Sequence, residues 1–234
     1  MMASVRVRVS GEFACFSRPE CKVERLSYEV MTPSAARGIL DAICWKPEMR
    51  WHVRRIEVLR PIRFISLKRN EVQDKVAPRT VSGWMKNPTE YQPFLAGAGS
   101  DTATPRTTVA LRNVAYVIEA VPIVFSPSTE NTPIKYMAMF NRRVEKGQCH
   151  VQPCLGCREF AAHFEVPRDG ERPIDETRDL GVMLYDIVFR QPGDKNRPLF
   201  FQARLEHGVL NTDADAALTD EQERKEVLAC SYKR

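Results

Sequence analysis

The sequence predicts an α+β protein, with a ferredoxin-like domain over residues 1–167 and a small β-rich C-terminal domain over residues 168–234. Apolar and polar residues alternate near the N-terminus, as in a half-buried strand. Two later segments combine a capping residue, an early proline and an amphipathic pattern, as helices do. Strands between and after these helices complete the order β-α-β-β-α-β, which is that of ferredoxin-like and RRM-like folds.

The first strand and the first helix have clear local signals. Residues 5–16 begin with valine at every second position, and a short extended piece is expected at 26–30. Thr32 is a suitable N-cap, and Pro33 suits the first position of a helix. That helix is expected to end before Pro47, because the residue before a proline avoids the helical conformation.

The middle of the chain combines long alternating segments with an irregular one. Residues 51–67 alternate over a long predicted strand, in which Pro61 is a bend or an edge position. Residues 68–106 show no sustained periodicity and are predicted to form a long loop, which in a compact domain is usually functional or disordered. Another strand is predicted over 108–125, with a turn at 112–113.

A basic helix is expected at about 131–146, followed by a short strand at 163–166. Asn131 or Thr132 is suited to its N-cap, and Gly147 is suited to its C-terminal stop. The helix is rich in lysine and arginine and leads into a glycine turn. It therefore suits an anionic ligand, and nucleic acid is the obvious one.

The C-terminal region contains two strong strand candidates, at 181–190 and 197–210. The segment 191–194 reads Gln-Pro-Gly-Asp and is a good turn signal between them. Residues 219–229 are expected to form a closing helix.

The composition is that of an ordinary soluble globular protein, with 43% hydrophobic and 28% charged residues. No apolar run approaches the roughly 18 residues that a membrane span needs, and the N-terminus lacks the apolar core of a signal peptide. We therefore expect a cytoplasmic protein without a membrane partner. The net charge of +5 fits either a polyanion-binding surface or an ordinary solvated one.

The seven cysteines do not suggest a disulfide framework. Cys154 and Cys157 have the spacing of half a zinc site, with Cys149 and His150 nearby. No second pair of this kind exists, and a redox role would need a strand–CxxC–helix context. Small buried cysteines around a glycine turn explain the segment adequately, so neither a metal nor another cofactor is predicted.

Signatures of nucleotide hydrolysis, dinucleotide binding and the common hydrolases are absent from the sequence. If the protein cuts nucleic acid, the natural reaction is cleavage of RNA by the RNA's own 2′-hydroxyl. This reaction needs only a base, a cation and an acid. The available side chains are Lys135, Tyr136, His52 and Tyr28. Each also has a simpler interpretation, because a lone helix lysine is usually solvated and a strand histidine is more often structural.

The predicted loop at 68–106 contains aromatic residues among basic ones, including Trp84 and Lys86. Aromatic rings can stack on bases while lysines neutralise phosphates. Alternatively, the rings only hold a long loop against the core. The sequence leaves both interpretations open.

Three segments in the same order resemble one known family. They are residues 31–51 (MTPSAARGILDAICWKPEMRW), 57–72 (EVLRPIRFISLKRNEV) and 140–160 (FNRRVEKGQCHVQPCLGCREF). They are similar to the CRISPR-associated Cas-five family, d subtype, of subtype I-C systems, and the resemblance covers essentially the whole chain. The family's ferredoxin-like domain with a small β-rich C-terminal domain agrees with the order of elements derived above.

The resemblance implies a metal-independent endoribonuclease that recognises the CRISPR repeat hairpin and its flanking single strand. It also implies that the protein stays on the 5′ handle and joins the backbone and large subunits of the interference complex. Some relatives are linked to DNA binding as well. A non-cleaving subunit that caps CRISPR RNA, and a nonspecific DNA-binding protein, are the alternatives.

The resemblance also implies where the site lies. The family has a tyrosine before the Trp-Lys-Pro at the end of the first helix, and here that position is Cys44. The family's Lys-His pair at the start of the second helix reads Lys135-Tyr136. Tyr136 is expected to replace the histidine as proton donor or acceptor, and a free tyrosine, with a pKa of about 10, is a poorer base. Tyr28 or His52 is expected to compensate if the protein cuts. The residues expected to bind RNA are Lys46, Arg50, Arg142, Arg143, Lys146, Arg158, Trp84 and Lys86.

Overall fold

The computed structural model describes residues 4–21, 23–73, 75–97, 99, 102–125, 127–189 and 196–229. The strands are β1 (Val5–Ala14), β2 (Arg25–Leu26), β3 (Met49–Val58), β4 (Phe64–Val72), β5 (Ala103–Val124), β6 (His163–Glu165), β7 (Arg178–Val188), β8 (Arg197–Glu206) and β9 (Val209–Asn211). The helices are α1 (Pro33–Ile43), α2 (Pro78–Lys86), α3 (Pro133–Glu145), α4 (Ala214–Ala217) and α5 (Glu221–Ala229).

The described strands form one largely antiparallel sheet in a mixed α/β fold. Its order is β6-β1-β5-β3-β9-β8-β7, and β2 and β4 also pair with β5. The 22-residue β5 organises the sheet, since its second half lies between β1 and β3. Ile118, opposite Val7 on one side and Ile56 on the other, is fully buried there. Helices α1 and α3 pack on this region, where the rings of Trp51 and Phe140 are 4.9 Å apart.

Both predicted helices of the N-terminal region are confirmed, together with their caps. The side chain of Thr32 accepts a hydrogen bond from the backbone N–H of Ala35 in α1. At the start of α3, Thr132 caps in the same way, accepting from the N–H of Lys135. Gly147 follows α3 with φ of +61°, the left-handed conformation that glycine adopts without strain.

The single strand predicted over 51–67 is wrong, because the chain forms β3 and β4 with Pro61 in the connection between them. The long loop predicted at 68–106 is also wrong. β4 pairs with the first part of β5 to form an arm, and its tip carries α2 and a short 3-10 helix, Pro88–Glu90. No residue of β4 is buried and its residues 68–71 are all polar, so the outer part of the arm has no apolar alternation for sequence analysis to detect.

The strand predicted at 108–125 is part of β5, but the turn predicted at 112–113 is wrong. Asn113 has φ of +55° and the strand nevertheless continues through it. An asparagine tolerates this conformation better than most residues. The pairing of β1 with β5 keeps one register on both sides of Asn113.

The C-terminal strands join the same sheet, because β9 pairs with β3. The strand predicted at 197–210 is divided into β8 and β9 by a tight turn at His207 and Gly208, both with positive φ. The turn predicted at 191–194 lies outside the described residues. The closing helix is confirmed as α5. Among the described residues, no helix is long and apolar enough to cross a membrane.

Candidate nucleic-acid cleavage site

The end of α1 and the basic helix α3 converge at Cys44. The backbone N–H of Cys44 donates to Leu40 at the end of α1, and the carbonyl of Cys44 accepts from the indole N–H of Trp51 at 2.7 Å. From α3, the Arg143 guanidinium donates to the carbonyl of Ile43 at 2.5 Å. A last-turn carbonyl of α1 therefore receives a cationic partner, which is favourable at a helix C-terminus.

Lys135 and Tyr136 share one polar partner, Asn131. The ammonium of Lys135 lies 2.9 Å from the carbonyl oxygen of Glu130 and 3.4 Å from Oδ1 of Asn131. The Tyr136 hydroxyl donates to the same Oδ1 at 3.1 Å. The ammonium also lies 5.6 Å from the centre of the Tyr136 ring. The start of α3 thus holds Lys135 by several weak contacts while its side chain stays exposed.

Tyr136 itself is only 2% exposed. Burial raises the pKa of its hydroxyl, and the nearby Glu48 and Cys44 raise it further. The phenol is therefore protonated at neutral pH and acts as a hydrogen-bond donor to Asn131. Of the two roles predicted for Tyr136, proton donor or acceptor, this arrangement does not favour the acceptor.

Cys44 is fully buried, and burial raises the pKa of its thiol. The charges of Arg143, Lys46 and Arg142 lower this pKa, whereas that of Asp41 raises it. The structure thus brings Cys44, Tyr136 and a group of basic residues to one region. It keeps the thiol neutral and away from solvent.

Glu48 is a member of this region that sequence reasoning missed. Its Oε2 is buried without a hydrogen-bond partner among the described residues, and its charge influences Tyr136. A buried carboxylate oxygen usually has a partner. Its position follows from the packing of the end of α1 against β3 and α3, and no sequence pattern marks it.

Tyr28 and His52, the two residues expected to compensate, take part in other contacts. The Tyr28 hydroxyl accepts from the backbone N–H of Leu184 in β7 at 3.3 Å, and burial raises its pKa. Nε2 of His52 lies 3.6 Å from Oδ1 of Asp213, and burial lowers the pKa of the imidazole. None of the described contacts links either side chain to Lys135.

The predicted RNA-binding residues are spread over the molecule. Arg50 is 3% exposed and its guanidinium lies 2.5 Å from Asp186, so it belongs to the interior. Arg158 is exposed and lines a cleft of about 840 Å³ along α1. Lys146 is exposed at the end of α3.

Trp84 and Lys86 lie on α2 at the tip of the arm. The Trp84 ring packs against Tyr91 at 5.1 Å and Phe94 at 6.3 Å, whereas α2 has no buried residue. The aromatic group therefore forms a local cluster at the tip and does not hold the tip against the main core.

Chemically, the start of α3 offers the exposed ammonium of Lys135 beside the buried, neutral hydroxyl of Tyr136. A fixed cation at this position can stabilise charge that develops on a phosphate. Over the part of the chain that the structure describes, no three His, Cys, Asp or Glu side chains are grouped so that they could hold a metal ion.

Comparisons with known proteins give a consistent result. The family model of a CRISPR-associated protein (Cas_Cas5), d type, matches residues 4–213. A CRISPR pre-crRNA endoribonuclease Cas5d of Mannheimia succiniciproducens is 46% identical over 220 residues, which cover 90% of this chain and 95% of that protein. Its namesake from Thermus thermophilus is 43% identical over 231 residues, which cover 92% and 93%.

Two solved structures share the fold. A CRISPR-associated protein superposes with a TM-score of 0.61 at 22% identity, covering 89% of this chain and 91% of that chain. A functionally uncharacterized protein from Streptococcus mutans gives a TM-score of 0.60 at 19% identity, with the same coverage of 89% and 91%. At these identities the similarity concerns the fold alone.

Proposed function

The chain belongs to the Cas5d family of CRISPR-associated proteins, and we propose that it is an endoribonuclease that cuts precursor CRISPR RNA within the repeat. The observation that carries this proposal is the exposed ammonium of Lys135, held by Asn131 and Glu130 at the start of α3. The names of the two relatives support the same activity. The alignment with this chain covers more than nine-tenths of each relative's length.

We propose that cleavage needs no metal. The 2′-hydroxyl of the RNA attacks the adjacent phosphate and loses its proton to water, so that an O2′–P bond forms while the P–O5′ bond breaks. The products are a 2′,3′-cyclic phosphate and a 5′-hydroxyl, whose oxygen takes its proton from water. Lys135 stabilises the negative charge that develops on the phosphorane. The binding surface holds the attacking oxygen in line with the leaving oxygen, since orientation alone lowers such a barrier considerably.

Tyr136 acts in this proposal as a positioning residue. Its buried hydroxyl fixes the amide of Asn131, and Asn131 in turn holds the ammonium of Lys135. Cys44 fills the space beside Tyr136 as a neutral thiol. The burial of both side chains supports this division of roles.

The RNA lies across the exposed basic side chains of α3 and the nearby end of α1. Arg142 and Lys146 are exposed on or next to α3, and Lys46 lies close to Cys44. Their charges neutralise backbone phosphates. We propose that the protein remains on the 5′ handle after cleavage and enters an interference complex, as the family resemblance implies.

The scaffold for this surface is proposed to be ferredoxin-like. The adjacent strands β6, β1, β5 and β3 all come from residues 1–167, whereas β7, β8 and β9 come from residues 168–234. This distribution supports the proposed division into an RNA-processing unit and a small β-rich unit.

A second candidate function is a non-cleaving subunit that caps CRISPR RNA. The observation that favours it is the burial of Tyr136 and Cys44, which leaves Lys135 as the one exposed member of the described set. Both functions predict RNA binding, and only the first predicts a cut.

The proposal is tested by incubating purified protein with its cognate repeat RNA in EDTA and following cleavage under single-turnover conditions. Cleavage in EDTA is expected, and Lys135→Ala is expected to reduce its rate by about 100-fold, because one charge-stabilising group is removed. Lys225→Ala, at an exposed lysine paired with Glu221 on α5, is the matched control and should cut normally. RNA binding without cleavage would support the non-cleaving subunit instead.

A further inference from the structure

Two cysteines that are distant in the sequence meet where the turn at 154–160 packs on the end of β1. The backbone N–H of Cys15 donates to the carbonyl of Leu155 at 3.0 Å, and Sγ of Cys157 lies 3.6 Å from the carbonyl oxygen of Cys15. Gly156 has φ of +86°, and a Cβ there would overlap that carbonyl. Glycine therefore permits the close approach that packs the Cys157 side chain against the backbone of Cys15.

The two thiols have different surroundings. A guanidinium N–H of Arg25 donates to Sγ of Cys157 at 3.5 Å, whereas Sγ of Cys15 lies 3.5 Å from the hydroxyl of Ser17. The hydrogen bond with Cys15 lowers the pKa of Cys157, and the Arg25 charge lowers it further. The same hydrogen bond and burial raise the pKa of Cys15. One sulfur is thus favoured as a thiolate beside a neutral thiol.

Access also differs between the pair. Cys157 is partly exposed, and Cys15 is buried but lines the cleft that runs along α1. A small oxidant can therefore reach Cys157 from solvent. The buried thiol lies behind it as the nearest nucleophile.

We propose that Cys157 and Cys15 form a peroxide-sensitive thiol pair that closes an intramolecular disulfide. This site goes beyond RNA cleavage and does not depend on it. It also differs from the Cys154 and Cys157 pair that the sequence spacing suggests. Redox-sensing cysteines with a resolving partner have this arrangement, in which a partly exposed thiolate beside a cation lies next to a second thiol.

Oxidation of the thiol pair by hydrogen peroxide proceeds in two steps. The Cys157 thiolate attacks one oxygen of hydrogen peroxide, the O–O bond breaks, and Cys157 becomes a sulfenic acid while hydroxide leaves. The sulfur of Cys15 then attacks the sulfur of Cys157, the S–O bond breaks, and the thiol proton leaves with the oxygen as water. The two thiols lose two electrons in total, and the peroxide is reduced to water.

The pair lies at the base of the arm formed by β4 and β5. Arg25, which contacts Cys157, also binds Glu159 at 2.7 Å, and Glu159 binds Arg69 of β4 at 2.5 Å. Oxidation removes the negative sulfur from beside Arg25. It therefore changes the charge balance at the point where the arm joins the sheet.

The test uses the full chain, reduced and then treated with hydrogen peroxide at pH 7, with peptide mapping by mass spectrometry. A Cys15–Cys157 disulfide that dithiothreitol reverses is the expected product. Cys157→Ser should abolish it, and Cys149→Ser, at an exposed cysteine outside the pair, should leave it unchanged. A disulfide between Cys154 and Cys157, or peroxide-oxidised Cys157 with Cys15 still free, overturns the proposal.

A second measurement needs no variant in the packed turn. Iodoacetamide should alkylate Cys157 of the native reduced protein about tenfold faster than Cys149 at pH 7, because the thiolate is the reactive species. Arg25→Met should slow this alkylation several-fold. Equal rates at the two cysteines would contradict the thiolate assignment on which the proposal rests.

Discussion

Lys135 and Tyr136 are neighbours in the sequence but have opposite environments. The Lys135 side chain is exposed, whereas Tyr136 is 2% exposed and packs in the core. Because burial raises the pKa of the Tyr136 phenol, this group donates a hydrogen bond at neutral pH and does not take up a proton. In the proposed mechanism Lys135 faces the RNA, and Tyr136 supports it from inside through Asn131.

This division predicts different effects of two substitutions. Tyr136→Phe keeps the ring and removes one hydrogen bond, so it should cost about 1 kcal/mol of unfolding free energy. It should also lower the single-turnover rate of cleavage by less than about tenfold. This is a smaller loss of rate than the removal of a charge-stabilising group should cause. Asn131→Ala removes the shared partner of both side chains and should lower cleavage more than Tyr136→Phe does.

These effects are measured by urea unfolding and by cleavage across pH 6–9. If the phenol donates the proton to the leaving oxygen, Tyr136→Phe will be as damaging as Lys135→Ala and will change the pH profile. That outcome would contradict the positioning role.

At the residue scale, the sequence placed Lys135 and Tyr136 correctly at the start of a capped helix. Asn131 was considered only as an N-cap, and the structure assigns that position to Thr132. The role of Asn131 depends on the side chains that fold back onto it. The role of Glu48 could not be predicted for the same reason, since its contacts arise between elements that are distant in the chain.

At the scale of elements, α3 carries two adjacent arginines with different functions. Arg142 is exposed in the last turn. Arg143 is turned toward α1 and donates to the carbonyl of Ile43. One residue is thus available to RNA phosphates, while the other connects the two helices.

Alanine substitutions should separate these two functions. Arg142→Ala should weaken RNA binding and reduce the slope of log affinity against log salt concentration by about 0.7, as for one lost phosphate contact on a single strand. The unfolding free energy of the Arg142→Ala protein should not change. Arg143→Ala should cost about 2 kcal/mol of unfolding free energy, because a carbonyl loses a charged partner.

Binding titrations at several salt concentrations and urea unfolding of both variants provide the measurement. An unchanged salt slope for Arg142→Ala would make this arginine an ordinary surface charge. An unchanged stability for Arg143→Ala would mean that water replaces the guanidinium at the end of α1.

The elements also show which sequence signals are reliable. β1, α1 and α3 were predictable because their apolar spacing and caps are local. The break between β3 and β4 was not, since alternation continues through the connection that contains Pro61. The arm could not be predicted because no residue of β4 is buried and residues 68–71 are polar, which leaves little of the apolar pattern on which strand prediction depends.

At the scale of the whole molecule, a buried carboxylate ties the C-terminal strands to the first helix. Asp186 of β7 accepts from Arg37 of α1 at 2.8 Å and from Arg50 of β3 at 2.5 Å. Burial alone raises the pKa of Asp186, but the two guanidinium groups outweigh it, and the pKa lies below its ordinary value. No local pattern predicts this network, because Asp186 lies 149 residues from Arg37 and 136 residues from Arg50.

Asp186→Asn should destabilise the fold by about 3 kcal/mol at pH 7, because it removes the buried carboxylate charge that pairs with Arg37 and Arg50. Since the pKa of Asp186 is lowered by folding, its contribution is present above the unfolded pKa of about 4 and is lost as pH falls through the folded value. The stability difference between the native and variant proteins should therefore shrink as pH falls from 5 toward 2. Urea unfolding at several pH values measures it, and a difference independent of pH would contradict the ion-pair interpretation.

We propose that this Cas5d-family chain cuts RNA through the RNA's own 2′-hydroxyl, with Lys135 stabilising the charge. The most direct measurement compares repeat RNA with the same RNA carrying one 2′-deoxy nucleotide at the cut position, both in EDTA. We predict cleavage of the first at one site and binding without cleavage of the second. Cleavage of the deoxy substrate at the same position and rate, or no cleavage of either RNA at any pH, would contradict the claim.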